Sequence, residues 1–420
     1  MQWSEHAPDW QGKQSVILIL LCLAMICFPF SVAVTNIMLG LTLALGLLGG
    51  IWWQGVTALL RHHKILSLAL AAYLLLVPVG LSWSIDPTWG VKILGRHWFW
   101  LLLPVVVVVV SSQRHRNAFL ASVSFGLTVN LAYCVLQANG LVESGAAAGS
   151  TADNPTGHIG HTSFGFIYGI WAAWLVHVGL LWRNNYRWLL WGLALWALVM
   201  VFMAQGKSGY IVTMVSLLVV AIKWLQESGN RRVFGAFVLI VLLIGLFLGL
   251  GPGKDRMLGV WYAFTDDVQS VDISQKMAVS SVTARLEWWK MSYDIWLAQP
   301  VLGAGTGSFP KAAADWQAGQ VEKQEFADRY LSHPHNQYLL TMVRWGAVGL
   351  LSLLTLLFFW IRAGIAIRWH ESVAMPLVAL TGAALLVHGL SSASFEEHFS
   401  TIFALVLTAA GLSESLSGRT

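Results

Sequence analysis

Charge is what this chain has least of. Only 11% of its 420 residues are Asp, Glu, Lys or Arg, where soluble domains carry about 25%. So little charge excludes an ordinary water-soluble globule. Cysteine is scarce as well: Cys22, Cys27 and Cys134 all fall inside apolar runs, at spacings that suit neither a disulfide framework nor a metal site, which leaves packing. No His-x-x-x-His or Cys-x-x-Cys spacing occurs, so no metal or other cofactor is expected. No small-residue cleavage site follows the first apolar run, which is expected to stay as a span. The net charge of +5 is spread over loops and points to no nucleic-acid partner.

What fills the chain instead is 57% hydrophobic residues at a mean hydropathy of +0.66, arranged as one apolar run of about 20 residues after another. Such runs are too long for barrel strands, so the fold class is an all-α polytopic membrane protein. Many of the 23 tryptophans, among them Trp98, Trp100, Trp182 and Trp188, lie near run ends, where amphipathic rings sit at the lipid headgroups. About twelve spans are expected, at 15–35, 37–53, 65–83, 97–112, 117–137, 161–182, 188–204, 210–226, 233–251, 338–360, 373–393 and 398–415. With the N-terminus placed in the cytoplasm, the short loops on that side hold thirteen Lys and Arg, from Lys13 to Arg419. The other side holds three, Lys92, Arg96 and Lys207. The positive-inside rule then puts both termini in the cytoplasm.

The chain thus divides into spans one to nine (1–251), a long segment (252–337), and spans ten to twelve (338–420). The segment carries eight Lys/Arg and ten Asp/Glu and lies outside the cytoplasm. Within it Thr283–Leu297 reads as an amphipathic helix on the membrane surface. Leu286, Trp289, Ile295 and Trp296 form its apolar set, and Pro300 with Gly303, Gly305 and Gly307 ends it. A second polar helix is expected over Ala312–Tyr330. The loop Ala138–Gly160, rich in Gly, Ala, Ser and Thr, reads as flexible.

Ionisable residues outside the cytoplasm are the unexpected ones. Lys207 and Arg96 sit at outer span ends, Arg285 opens the amphipathic helix, and His333 and His335 precede the tenth span with Asn336. Arg344 follows a few residues into that span. Cations at that level suit a phosphate or diphosphate, Arg as a planar fork and Lys as a point charge. A histidine, with an ordinary pKa of about 6.5, is a base for an attacking hydroxyl. Each residue also has a plainer reading. Lys207 suits a snorkelling cation, Arg285 a solvated helix charge, His333 a loop residue, His335 a cap and Arg344 a local ion pair. Asp266 and Asp267 read as solvated, and Glu396, Glu397 and His398 as a minor polar contact at an outer loop end.

At these residues the sequence resembles the O-antigen ligase family, which also includes O-antigen polymerases and bacterial protein O-oligosaccharyltransferases. Arg285, Trp289 and then Pro300–Phe309 (PVLGAGTGSF) resemble the family's Arg, Trp and Pro-x-x-Gly-x-Gly pattern. His335-Asn336-Gln337-Tyr338-Leu339 resembles its His-Asn motif, with Gly346 and Gly349 following. In Gln205–Gly209, where the family often has Ser-Arg, this chain has Gly206-Lys207. Arg344 differs too, since many relatives are acidic near that point. The resemblance implies a membrane glycosyltransferase-like fold with one large, partly helical periplasmic loop. It implies metal-independent transfer of a glycan from undecaprenyl diphosphate to a sugar hydroxyl of lipid A–core, at the periplasmic face of the bacterial inner membrane. By motif match Arg285 binds the diphosphate, Lys207 stands where an Arg is usual, and His335 is the base or an acceptor-orienting group; the set of outer cations and imidazoles adds Arg96 to the diphosphate site and Asn336, His333 and Arg344 as supporting residues. An O-antigen polymerase differs only in its acceptor, and a protein O-oligosaccharyltransferase of this superfamily is a further alternative. A transporter or flippase would gather its charges near the bilayer midplane instead.

Overall fold

In the computed structural model, residues 7–142, 150–228, 235, 273–319 and 331–417 are described. Among them the regular secondary structure is helical, apart from an isolated bridge between Thr151 and Asn154. The helices are α1 (Ala7–Cys27), α2 (Val32–Leu48), α3 (Ile51–His62), α4 (Lys64–Val79), α5 (Pro87–Arg96), α6 (Leu102–Val109), α7 (Gln113–Ala138), α8 (His161–Leu181), α9 (Tyr186–Met203) and α10 (Lys207–Ser228). Beyond the long segment's start come α11 (Ile273–Ala298), α12 (Phe309–Ala318), α13 (Gln337–Ile365), α14 (Pro376–His388) and α15 (His398–Ser417). Among the described residues eight helices, or nine with the bent pair α2–α3, are long and apolar enough to cross a membrane, and Gln14–Cys27 and Pro376–His388 are shorter apolar helices. The protein is an all-α multi-pass membrane protein. The expected span at 233–251, Asp266, Asp267 and the second half of the helix expected over Ala312–Tyr330 lie outside the described residues.

Local chemistry sets the helix ends where hydropathy does not. The first apolar run breaks after Cys27, across Pro29, and Ser31 caps α2 by accepting from the Val34 amide at 3.3 Å. Gly50, in the left-handed region at φ 71°, turns α2 into α3 by 84°, so the second expected span is a bent pair. Asp86 caps α5 through the Trp89 amide at 3.0 Å, with Pro87 in its first turn. Ser112 caps α7 likewise.

Helices α8 and α15 are buried along most of their length, and α4 and α9 leave most of theirs facing outward. This is the arrangement of a bundle whose outer helices meet lipid. At one end of the bundle the starts of α8, α10, α13 and α15 and the end of α14 come together. The Gln337 amide donates to the Gly389 carbonyl at 2.7 Å, and Ser163 bonds Ser400 at 3.1 Å.

The described part of the loop expected to be flexible is built in. Ser150, Asn154 and Thr156 are buried. Gln137 donates to Ser150 and accepts from the Gly157 amide, and Asn154 accepts from the Gln205 amide at 2.8 Å. Small polar residues here satisfy buried backbone, which composition alone reads as looseness. The expected amphipathic helix lies within α11, but its inward face differs from the expected one. Met291 and Ser292 are buried, and Met291 packs with Phe309, Leu340 and Val343, flanked by Trp288 and Ile295. The stripe Trp288, Met291, Ser292 and Ile295 follows the i, i+3, i+4, i+7 spacing and docks α11 on α13.

Candidate active site

The site is organised by a break in α13. Gly346 has φ 61° and ψ −153°, outside helical space, in the middle of the span. Such a break frees carbonyls that lipid cannot satisfy. The loop after α11 fills it. The Ala304 and Gly305 amides donate to the Val343 and Arg344 carbonyls, both at 2.8 Å, and the Ala347 amide donates back to the Pro300 carbonyl at 2.8 Å. A side chain on Gly303 would lie 2.7 Å from the backbone of Arg344 and Trp345. The Gly-x-Gly-x-Gly run is therefore a plug for a broken helix, not only a turn. Thr306 pins it from the other side. Its amide donates to the Gly80 carbonyl at 3.0 Å, its hydroxyl to the Val77 carbonyl at 2.8 Å, and the Trp345 indole donates to that hydroxyl at 2.9 Å.

Arg344, two residues before the break, is 1% exposed and forms a bidentate pair with the buried Glu396 in the α14–α15 loop. Burial works to raise the Glu396 pKa, but Arg344 outweighs it and holds the carboxyl below its ordinary range. Arg344 thus ties the α14–α15 loop to α13 with its side chain and the glycine loop with its carbonyl.

His335 sits just ahead of α13. Asn336 caps that helix, accepting from the Tyr338 and Leu339 amides at 2.9 and 3.1 Å and donating to the Leu390 carbonyl at 3.2 Å. Its amide is consumed by these bonds, so Asn336 supports the site by fixing the turn. Gln337 extends the tie, accepting from the Phe395 amide at 3.1 Å. Among the described residues His335 is the only non-glycine residue with positive φ, 51°, a strain of roughly 1–3 kcal/mol that the surrounding bonds must hold. Its amide donates to His333 Nδ1 at 3.2 Å, which leaves the His333 proton on Nε2 when that ring is neutral. The two rings meet edge-on at 4.4 Å, and Trp288 of α11 stacks on His335 at 5.3 Å and 25°.

Burial pushes the His335 pKa down to about 4, with His333, Arg285 and His161 adding to the fall and Glu397 opposing it. Burial lowers the His333 pKa too. Both rings are neutral at pH 7, and a neutral imidazole can take a proton.

Arg285 lies one turn before Trp288 on α11. It is half-buried, with its pKa lowered by burial, and within electrostatic reach of both His335 and His161. Lys207 opens α10, and Gly206 before it packs against the His161 carbonyl so closely that no Cβ would fit. The structure therefore gathers His335, His333, His161 and Arg285, and sets Lys207 beside His161. Arg96 stands further out. It is exposed, lies over the Trp89 ring at 5.6 Å beside Lys92, and still reaches His333 electrostatically.

Sequence reasoning passed over His161 and Trp288 and read Glu396 and Glu397 as no more than a minor polar contact. Glu397 accepts from Ser392 and Ser400 and lies within electrostatic reach of four histidines, His161, His333, His335 and His388. Two adjacent carboxylates at the outer end of an apolar run were the available signal. Among the described residues no three His, Cys, Asp or Glu side chains gather as a metal ligand set.

A hydroxyl brought to the His335 imidazole would meet a neutral base, and an anion beside it would meet Arg285 and the start of α10, whose dipole and Lys207 both favour negative charge. No curated protein matches the chain. Residues 192–354 match the family model described as O-antigen ligase, a stretch that takes in Lys207, Arg285, the glycine plug, His333, His335, Asn336 and Arg344. Over that stretch the chain is similar to the O-antigen ligase family.

Proposed function

We propose that this protein transfers a glycan from undecaprenyl diphosphate to a sugar hydroxyl of lipid A–core, at the periplasmic face of the bacterial inner membrane. The match over residues 192–354 supports an O-antigen ligase- or polymerase-type glycosyltransferase, and the finer reading rests on the side chains. The observation that carries it is His335 stacked on Trp288 of α11, one turn from the half-buried Arg285. In the proposed step the acceptor oxygen bonds to the anomeric carbon as the bond from that carbon to the diphosphate oxygen breaks. The bonding pair leaves on the diphosphate, whose growing charge Arg285 and Lys207 stabilise, with Arg96 at the rim. His335 takes the hydroxyl proton, a contribution typically worth about 10²–10⁴-fold. Both substrates keep their tails in lipid, so the reacting groups meet at the bundle end and not at the midplane. That placement favours transfer over transport, which needs charges deep in the bilayer.

The test is reconstitution in liposomes with an undecaprenyl diphosphate-linked glycan, offering lipid A–core or a second donor as acceptor. Glycan joined to lipid A–core is the expected product; a lengthened donor would make the protein a polymerase. His335→Ala is expected to abolish transfer while the protein still inserts. A His335→Ala protein that joins donor to acceptor at the wild-type rate would remove the base from this scheme.

A further inference from the structure

We propose that Glu397 is the counter-charge of the site's proton acceptor, a positioning residue that stabilises the imidazolium formed at His335 as the acceptor hydroxyl gives up its proton. The inference rests on the reading of His335 as a base and adds a partner that the motif region lacks, since Glu397 lies beyond residue 354.

The geometry points there from three sides. The α14–α15 loop that carries Glu397 is fixed to the first turn of α13 through the Phe395 amide and Gln337, two residues after His335. It is fixed to the middle of α13 through Glu396 and Arg344. On its far side Ser400, which donates to Glu397 at 3.4 Å, bonds Ser163 at the start of α8, two residues after His161. The carboxylate is thus held between the two helix starts that carry His161 and His335, with Ser392 donating to its other oxygen. Its neighbour cannot take this role, because the Glu396 carboxylate is already matched by Arg344 in a bidentate pair.

The charges facing His335 come from every element packed around it: Arg285 on α11, His333 in its own loop, His161 on α8 and Glu397 in the α14–α15 loop. Three of these are cations or groups that become cations, and all resist a proton on His335. Glu397 alone among the four favours one. Without it, a base that has just accepted the hydroxyl proton would sit against Arg285 with nothing to offset the repulsion. A carboxylate in this position does not take the proton itself; it lowers the free energy of the charged ring, as a buried acid does behind other catalytic histidines.

The test compares wild type with Glu397→Gln and Glu397→Asp in the reconstituted transfer assay, together with carbethoxylation of His335 by diethylpyrocarbonate across pH, read by mass spectrometry. Diethylpyrocarbonate reacts with the neutral ring, so the pH midpoint of labelling reports the His335 proton without turnover. Glu397→Gln keeps the side chain's shape; its amide oxygen can accept from one of Ser392 and Ser400 while its NH2 donates to the hydroxyl oxygen of the other. It is expected to lower kcat about tenfold or more with little change in KM, and to move the labelling midpoint and the acidic limb of the rate profile to lower pH. Glu397→Asp is expected to return both toward wild type. A midpoint that is the same in wild type and Glu397→Gln overturns the assignment, whatever the rates. A midpoint that shifts with Glu397→Gln while wild type itself transfers no glycan would instead bring down the transfer reading and leave the counter-charge standing.

Discussion

The amide of Gly305 donates to the carbonyl of Arg344 at 2.8 Å, and through that bond a loop lying outside α13 completes the hydrogen bonding of a helix within the bundle. The same arginine grips Glu396 with its guanidinium. One residue therefore couples the glycine loop, the broken helix and the acidic loop around His335, and several measurable consequences come from this coupling.

Gly346→Ala is expected to destabilise the protein and to cut transfer with it. The backbone there lies in the left-handed region, costing a non-glycine residue roughly 1–3 kcal/mol, and the new Cβ would collide with the Val301 carbonyl. Gly192→Ala, on α9 with open space around it, is the matched control and should leave stability unchanged. Thermal melts in detergent distinguish the two.

Removing either half of the Arg344–Glu396 pair strands a buried charge, at a cost of about 3–5 kcal/mol. Arg344→Ala and Glu396→Ala are each expected to fall in that range, and the double variant to lose less than their sum. A double-mutant cycle on unfolding midpoints measures this. Additive losses would mean that the pair is not coupled.

Arg285→Lys keeps the positive charge but loses the planar fork. If Arg285 holds the diphosphate through two parallel bonds, losing one charge-assisted bond of about 1.5–3 kcal/mol weakens donor use roughly 10- to 100-fold. Initial rates across donor concentrations test it, and unchanged kinetics would count against the bidentate contact.

Stability should fall on the acid side. In the unfolded chain a histidine takes up its proton near pH 6.5, whereas in the fold His335 holds out to about 4 and His333 is shifted the same way. Between those values the unfolded state binds more protons, so stability rises with pH there and is level above about 7. Glu396, held below its ordinary range, adds a further loss at more acid pH as its pair with Arg344 is discharged. Melting midpoints from pH 4 to 8 should trace this slope, and His335→Gln should flatten it.

Hydropathy alone located most of the helices, because about 20 apolar residues in a row have few other uses. The motif residues Arg285, Lys207 and His335 were legible because polar groups at a span end stand out against so greasy a chain. What escaped notice depends on contacts between distant segments. Thr306 reads as an ordinary loop residue until Gly80 and Val77 are placed opposite it. Arg344 suits an ion pair in sequence, but its partner is not local: Glu396, 52 residues later, folds back onto it. The glycines of Gly303–Gly307 signal a turn in sequence, but nothing local says that the turn will enter a helix. The α11 face was misjudged for a related reason: Met291 is buried by α12 and α13, whose positions periodicity within one helix does not contain.

The plugged break in α13 also bears on how the protein is made. When α13 leaves the ribosome, the carbonyls of Val343 and Arg344 have no partner within their own helix, and bare carbonyls in hydrocarbon cost several kcal/mol each. Their partners, Ala304 and Gly305, were synthesised earlier and must already be on the correct side of the bilayer. Settling of the last three helices is thereby conditional on placement of the preceding loop, so the membrane insertion machinery would meet a chain whose late spans wait on a segment made before them.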